Sequence, residues 1–171
     1  EDHTFYRCSH LKEVIIPPSV TSIGDHAFYG CSFLHKVIIP PLVTIIRNSA
    51  FMGCISLEEI TIPQLLKQIG KSAFKNCSSL EKVIIESHIK KIKKYTFSEC
   101  SSLTDIELPE SLEVIGRNAF ERTSLVQIKI PASVKIIRPD AFLDCDQLVK
   151  AIIPPDTESS PTAFPNWVDI L

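Results

Sequence analysis

The chain has 171 residues, of which 44% are apolar and 22% are charged, a composition typical of a soluble folded domain and too apolar for a disordered chain. Its formal net charge of −2 predicts no overall attraction to nucleic acid or to an anionic membrane. No apolar run approaches the roughly 18 residues of a membrane-spanning helix, so we expect no membrane insertion within this segment.

The sequence repeats itself every 22 or 23 residues. Phenylalanines mark the period from Phe5 to Phe164, and a cysteine follows most of them by three residues. A leucine begins each of seven units: Leu11, Leu34, Leu57, Leu80, Leu103, Leu125 and Leu148. Because three residue types share one period, the sequence predicts a repeat solenoid.

The first predicted element of each unit is a short strand. In residues 57–62, LEEITI, apolar and polar residues alternate and β-branched side chains are frequent, as in strands. A proline closes the strand in most units, because proline has no N–H to give to a ladder: Pro17, Pro40, Pro63, Pro109, Pro131 and Pro154.

The second half of each unit reads V-x-x-I-G-x-x-A-F. It is too short for a long helix, and we expect irregular, 3-10 or short extended structure that returns the chain across the back. A single unit cannot bury its own apolar face. The units are therefore predicted to stack about 4.8 Å apart at their strands, with a continuous core and a parallel sheet.

The copies LKEVIIPPSVTSIGDHAFYGCSF and LEEITIPQLLKQIGKSAFKNCSS resemble the BspA-like (Treponema-type) leucine-rich repeats, which have the same I-P, V-x-x-I and A-F-x-x-C landmarks. The resemblance covers residues 3 to about 155. It implies a leucine-rich-repeat solenoid, a right-handed superhelix with one parallel concave β-sheet of about seven short strands. It also implies a setting on or outside the surface of mucosal bacteria and parasitic protists, where such proteins are thought to act in adhesion.

We expect residues 1–171 to form a single domain. Residues 1–10 read as a partial N-terminal repeat, and residues 156–171 as a degenerate C-terminal cap with a polar loop and a lone Trp167. The chain opens within a repeat and lacks a starting Met, so we expect it to be a fragment of a longer protein.

The cysteines share one interior register, beside Phe and Leu, where Cys behaves as a small apolar residue. We expect reduced, buried thiols, although neighbouring registers are within the reach of a disulfide. A reactive cysteine needs exposure and a nearby base. Cys8 with His10, and Cys31 with His35, fall short of the four convergent ligands of a zinc site. The sequence thus predicts no catalytic residue, no metal and no cofactor.

Outward strand positions are predicted to form columns along the concave sheet. The column at mid-strand reads Ile15, Ile38, Thr61, Ile84, Glu107, Lys129 and Ile152. The neighbouring column alternates in charge, with cross-strand pairing expected, and reads Glu13, Lys36, Glu59, Lys82, Asp105, Gln127 and Lys150. Exposed isoleucines are typical of a contact site, although strand propensity accounts for them equally well. The predicted binding residues are Ile15, Lys36, Ile38, Glu59, Thr61, Lys82, Ile84 and Glu107.

A basic cluster lies in the turn and back of the fourth repeat: His88, Lys90, Lys91, Lys93 and Lys94. Such a cluster can recognise sulfated glycans or phosphates. A solvated basic loop is the simpler interpretation.

These features favour a non-catalytic module that binds a protein through its concave sheet, and the resemblance implies that it belongs to a cell-surface or secreted adhesion protein. The expected partner is a protein, such as a host extracellular-matrix or cell-surface protein, and not nucleic acid. An intracellular scaffold that binds a signalling partner is the alternative, which reduced cysteines would favour. We expect no enzyme, because the sequence contains no constellation of nucleophile, base or metal ligands.

Overall fold

Each repeat forms one turn of a parallel β-solenoid, as the period predicts. The computed structural model describes residues 1–171 as about seven such turns, with fourteen strands of two to four residues and no helix. No element is a helix with the length and apolarity needed to cross a bilayer.

One side of the solenoid, here called the front face, consists of the strands that begin most repeats. They are β1 (Glu13–Ile15), β3 (Lys36–Ile38), β5 (Glu59–Ile62), β7 (Lys82–Ile85), β10 (Gln127–Lys129), β12 (Lys150–Ile152) and β14 (Asp169–Ile170). Every pairing among them is parallel and in the predicted register. The prolines that follow β3, β5 and β10 are buried: Pro40, Pro63 and Pro131.

The single front sheet of the prediction is divided into three pieces, β1–β3, β5–β7 and β10–β12–β14. The strand predicted from Leu103 is absent, and residues 103–109 have no regular structure. Asp105 and Glu107 occupy its two outward positions, and acidic residues are poor strand formers. This repeat is also one residue shorter than its neighbours. The prediction of a front strand at this repeat was therefore wrong.

The opposite side, here called the back face, consists of two-residue strands. They are β2 (Ser22–Ile23), β4 (Ile45–Ile46), β6 (Gln68–Ile69), β8 (Lys91–Ile92), β9 (Val114–Ile115), β11 (Ile136–Ile137) and β13 (Glu158–Ser159). They form two parallel sheets, β2–β4–β6 and β8–β9–β11–β13. Of the alternatives offered for the return segment, the structure adopts the short extended one and no 3-10 turn.

The core between the two faces follows the predicted columns. Successive phenylalanine rings from Phe5 to Phe164 stack with centroids 4.6–5.7 Å apart and nearly parallel planes. Such aromatic pairs add stabilisation beyond the burial of their area. The leucine that begins each repeat is fully buried from Leu34 to Leu148. The stacked columns join all turns into one continuous core.

The buried cysteines of this core form a recurrent hydrogen bond between neighbouring turns. The thiol of each buried cysteine donates to the backbone carbonyl of a phenylalanine in the preceding turn, as Cys77 Sγ does to Phe51 O at 3.2 Å, and the other four distances are 3.0–3.2 Å. No disulfide joins these thiols. Cys8 departs from the prediction of an interior position, because its side chain is exposed.

Two residues in each turn have a left-handed backbone. In the third complete turn these are Ser72 (φ 55°) and Asn76 (φ 57°). Between them, alternate N–H groups point along the solenoid axis. Those of Ser72, Phe74 and Asn76 donate to carbonyls of the next turn at 2.9–3.0 Å. Glycine occupies the second position at Gly30 and Gly53, where a missing Cβ removes the steric cost of positive φ.

Residues 156–171, predicted as a cap, extend the stack. β13 pairs with β11 and β14 pairs with β12. Phe164 stacks on Phe142 at 4.6 Å, and Trp167 Nε1 donates to the carbonyl of Leu148 at 3.1 Å.

Candidate binding surface

The predicted columns are present on the front face. The strand register places Ile15 beside Ile38, and Thr61 beside Ile84. In the neighbouring column Glu59 lies beside Lys82. Residues that are 23 apart in the sequence therefore form columns of adjacent side chains.

The apolar part of this surface is concentrated at one end. Ile15 is 94% exposed and Ile38 is 70% exposed, whereas Thr61 and Ile84 are half-buried. The charged side chains of Glu107 and Lys129 then separate this end from Ile152. The exposed isoleucines thus form a patch on β1 and β3, and the exposure of the column decreases along β5 and β7.

The charge ladder of the neighbouring column is also partial. Lys82 Nζ lies 3.7 Å from Glu59 Oε1, while Glu13 Oε1 is 3.2 Å from His35 Nε2 and leaves its predicted partner Lys36 without a carboxylate in range. Both contacts are exposed, and exposed pairs contribute little to stability. The unpaired ammonium of Lys36 is therefore available to a partner.

A groove of about 630 Å³ follows the gap between β3 and β5, which are not hydrogen-bonded to each other. It brings together four of the predicted residues, Lys36, Ile38, Glu59 and Thr61. Glu86, which replaces the strand-closing proline of the next repeat, also lines it and was not predicted as a binding residue. The replacement of the repeated proline by Glu86 was the one feature of the sequence that could have indicated this residue.

A second groove of about 710 Å³ lies where the front strand of residues 103–109 is missing. Glu107 is the one predicted binding residue in its lining. Acidic side chains on the irregular segment face lysines on the next two strands: Asp105, Glu107 and Glu110 against Lys129 and Lys150. The repeat pattern predicts a strand at this place, and it therefore gives no sign of the groove.

The remaining predicted residues lie outside these two grooves. Ile15 borders a smaller depression of about 260 Å³ at the first turn, together with the apolar side chains of Val14 and Ile16. Lys82 and Ile84 lie on β7, between the two larger grooves. The basic cluster is on the other side of the molecule, with Lys90, Lys91, Lys93 and Lys94 around the back strand β8 and His88 in the turn before it.

The thiols are held in an unreactive form. Burial raises the pKa of Cys31 to about 11 and that of Cys100 to about 12. Burial likewise raises the pKa values of Cys54, Cys77 and Cys145. Since the thiolate is the nucleophile, these cysteines serve packing. No group of three or more His, Cys, Asp or Glu side chains is arranged to hold a metal ion.

Stacked strand-and-return turns around columns of Leu, Ile and Phe, with strand residues exposed on one face, define a leucine-rich-repeat solenoid. The sequence matches the family described as BspA type leucine rich repeat region, in six copies, over residues 1–89 and 27–149. The chain belongs to this family, whose repeats typically mediate protein interaction. No curated protein matches the chain significantly.

Several solved structures are similar to this one. The leucine-rich-repeat protein TpLRR of T. pallidum is 34% identical, with a TM-score of 0.66, and the match covers 69% of this chain and 58% of TpLRR. A leucine-rich-repeat protein of Eubacterium ventriosum is 27% identical, with a TM-score of 0.78 and coverage of 92% of this chain and 45% of that one.

A leucine-rich cell surface protein of Faecalibacterium prausnitzii is 27% identical, with a TM-score of 0.55, and the match covers 98% of this chain and 61% of that one. The chain therefore spans roughly half to three fifths of these proteins. They are leucine-rich-repeat proteins, a class that is generally non-enzymatic.

Proposed function

We propose that this chain is a protein-recognition module of a cell-surface or secreted adhesion protein, and that it binds its partner through the front face. The observation that carries the proposal is the pair of isoleucines Ile15 and Ile38, which project into solvent at 94% and 70% exposure. Exposed apolar side chains that adjoin one another are a feature of contact sites. The cell-surface setting is supported by the F. prausnitzii relative.

The surroundings of these isoleucines resemble the composition of an interface. Burying one such side chain contributes about 1.5–3 kcal/mol. Lys36 and Glu59 lie beside them, at the edge of the 630 Å³ groove, as charged rim residues do. We expect the partner to place an apolar side chain on Ile15 and Ile38, and a carboxylate near the ammonium of Lys36.

The proposal predicts that Ile15→Asp/Ile38→Asp strongly weakens binding to an extracellular protein. Purified chain would be tested by surface plasmon resonance on collagen, laminin, fibronectin and fibrinogen. We expect at least one of them to bind, and the double variant to bind at least about thirtyfold more weakly, because two contact side chains are lost.

The matched control is Val126→Asp/Val149→Asp, which also places two carboxylates at exposed apolar positions of the front face, since Val126 and Val149 are 48% and 58% exposed. It should bind like the wild type. Equal weakening by both variants, both with unchanged thermal melting, would contradict a site at Ile15 and Ile38. Absence of binding to the whole panel would count against the adhesion proposal.

An intracellular scaffold is the second candidate, favoured by the five buried thiols that remain unbridged, since disulfides are rare in the reducing cytosol. Protease treatment of intact cells that produce the parent protein separates the two functions. Loss of the protein from intact cells supports the adhesion module, and protection until lysis supports the scaffold.

A further inference from the structure

The positive charge of this chain is concentrated on the back face. The five segments 44–48, 67–71, 90–94, 113–117 and 135–139 contain ten of the eighteen Lys and Arg residues, and one acidic residue, Glu113. We call this region the back cationic surface. Because the whole chain has a net charge of −2, the rest of the molecule is strongly acidic. The positive charge is therefore gathered in five consecutive turns of the back face, and most acidic residues lie outside them.

Ion pairs leave the centre of this surface uncompensated. Lys71, Lys91, Lys93 and Lys94 have no carboxylate within ion-pair distance, and carboxylates pair only with cations around them, at Arg47, Lys90 and Arg117. Lys71, Lys91 and Lys94 are exposed. Partial burial, together with the neighbouring Lys71 and Lys91, lowers the pKa of Lys93, as expected where positive charges crowd without counter-charge.

The fold does not require these cations. In one column, the side chains of Asp2, Asp25 and Asn48 each accept the backbone N–H of the following turn, at 2.7–2.9 Å. Lys71 and Lys94 continue the same column, and neither side chain carries an acceptor. The acceptor ladder thus stops where the cations begin. Stability alone would favour Asn or Asp at these positions, so their lysines point to a ligand.

The cations also form rows along the solenoid. At about 4.8 Å per turn, five turns give a surface roughly 20 Å long. Arg47, Lys93 and Arg138 occupy one position in alternate turns, and Gly70 and Gly116 occupy it in between. A Cβ on Gly70 would lie 2.3 Å from the Arg47 carbonyl carbon, so the close approach of the turns requires glycine there. The basic residues of this row are about 10 Å apart, close to the length of one disaccharide.

We propose that the back cationic surface binds a sulfated polysaccharide of the glycosaminoglycan class, aligned with the solenoid axis. A linear polymer with regularly spaced sulfates can contact the rows of lysine and arginine in successive turns. This site is separate from the front face, and it does not depend on the protein-binding function proposed above.

The other large polyanions fit this surface less well. Single-stranded nucleic acid needs aromatic faces on which its bases stack, and the ring of Tyr95 already has Lys75 Nζ and Lys94 Nζ within 4.9 Å of its centroid. A membrane surface is held by apolar side chains next to the basic ones. The exposed Leu42 and Leu65 precede the first two segments, but no exposed large apolar side chain lies within the five segments or flanks the central segment 90–94 in the sequence.

The test is binding of the purified chain to immobilised heparin, measured by surface plasmon resonance at several salt concentrations. Lys71→Asn/Lys94→Asn removes two central cations and introduces side chains that can resume the acceptor ladder, so we expect it to fold. Its affinity for heparin should fall by at least about tenfold, since each cation near an anionic surface contributes appreciably to the binding free energy. Lys91→Gln/Lys93→Gln provides a second variant of equal charge.

The matched control is Arg7→Asn/Lys12→Asn, which removes the same charge from exposed positions outside the back cationic surface and should bind as the wild type does. Heparin stripped of its sulfates should not bind. The proposal is overturned if heparin fails to bind at about 0.15 M salt, or if the control weakens binding as much as the central variants. It is also overturned if single-stranded DNA or phosphatidylserine vesicles bind as tightly as heparin.

Discussion

At the scale of single residues, the repeated cysteine shows why one side chain recurs at one position. Its small apolar side chain fits beside the phenylalanine stack, and its S–H satisfies a phenylalanine carbonyl of the preceding turn. At the one repeat with threonine, Thr123 Oγ1 donates instead to Phe120 of its own turn at 2.9 Å. The period predicted the interior position, and the hydrogen bond could be found only from coordinates, since it joins neighbouring turns.

The thiol pKa values lead to a prediction about reactivity. Burial raises the pKa of Cys31 to about 11 and that of Cys100 to about 12, so both remain protonated at pH 8, where a free thiol is partly ionised. We expect Ellman's reagent to modify one thiol per native chain at pH 8, namely the exposed Cys8, and all six in denaturant.

Cys8→Ala should remove the fast reaction of the native protein while leaving its circular dichroism unchanged. Rapid modification of two or more thiols in the folded wild type would contradict the buried ladder.

The same pKa shifts set the sign of the pH dependence. Each is raised in the folded state above the ordinary value of 9.0, so their contribution to stability is fully present below about pH 9 and decreases as the pH rises toward 11 and 12.

At the scale of elements, the periodicity of the sequence located the strands and the register of their columns, because stacking in a solenoid repeats any local geometry. It did not locate the gaps. β3 and β5 are adjacent but unbonded, and residues 103–109 form no strand. Both gaps depend on how one turn sits upon the next, which the pattern of a single repeat does not contain. The two larger grooves of the front face were therefore absent from the sequence analysis.

The residues with a left-handed backbone carry conformational strain, which lowers the stability of the fold by a measurable amount. Glu99 has φ 63° at the position that glycine holds in two earlier turns, and a non-glycine residue there is strained by about 1–2 kcal/mol. Glycine also loses more chain entropy on folding. We therefore expect Glu99→Gly to stabilise the fold by a net amount of about 0.5–1 kcal/mol, measured by urea denaturation.

Glu99→Ala is the appropriate comparison, because both variants lose the ion pair with Lys75 and only alanine keeps the Cβ. If alanine stabilises as much as glycine does, strain at this position is not the cause.

At the scale of the whole molecule, the breaks in the front and back sheets are staggered. Where β3 and β5 are unbonded, the back strands β4 and β6 are paired. Where the back sheets part between β6 and β8, the front strands β5 and β7 are paired. Around residues 103–109 the back strands β8, β9 and β11 remain continuous. Each junction keeps at least one ladder, and the phenylalanine stack crosses all of them.

The staggering predicts where a single backbone change divides the solenoid. In a repeat protein, the free energy of unfolding is approximately the sum of the stabilities of the turns and of the interfaces between neighbouring turns. The hydrogen bonds at the left-handed segments are common to the turns, so an interface with only one strand ladder is weaker than one with two. The N–H of Glu113 donates to Lys90 at 2.8 Å, across the junction without a front ladder. The N–H of Thr44 occupies the equivalent position and donates to Thr21 at 2.9 Å, at a junction where both ladders are present.

Proline at either site removes one ladder hydrogen bond. Glu113→Pro is expected to split the single urea transition into two, because it weakens the one strand ladder that remains at the junction before residues 103–109, where no front strands pair. Thr44→Pro should lower the stability of the first turns and keep one transition. Circular dichroism and hydrogen exchange distinguish these results. If Glu113→Pro unfolds in one transition at the same urea concentration as Thr44→Pro, the core columns and not the ladders couple the turns.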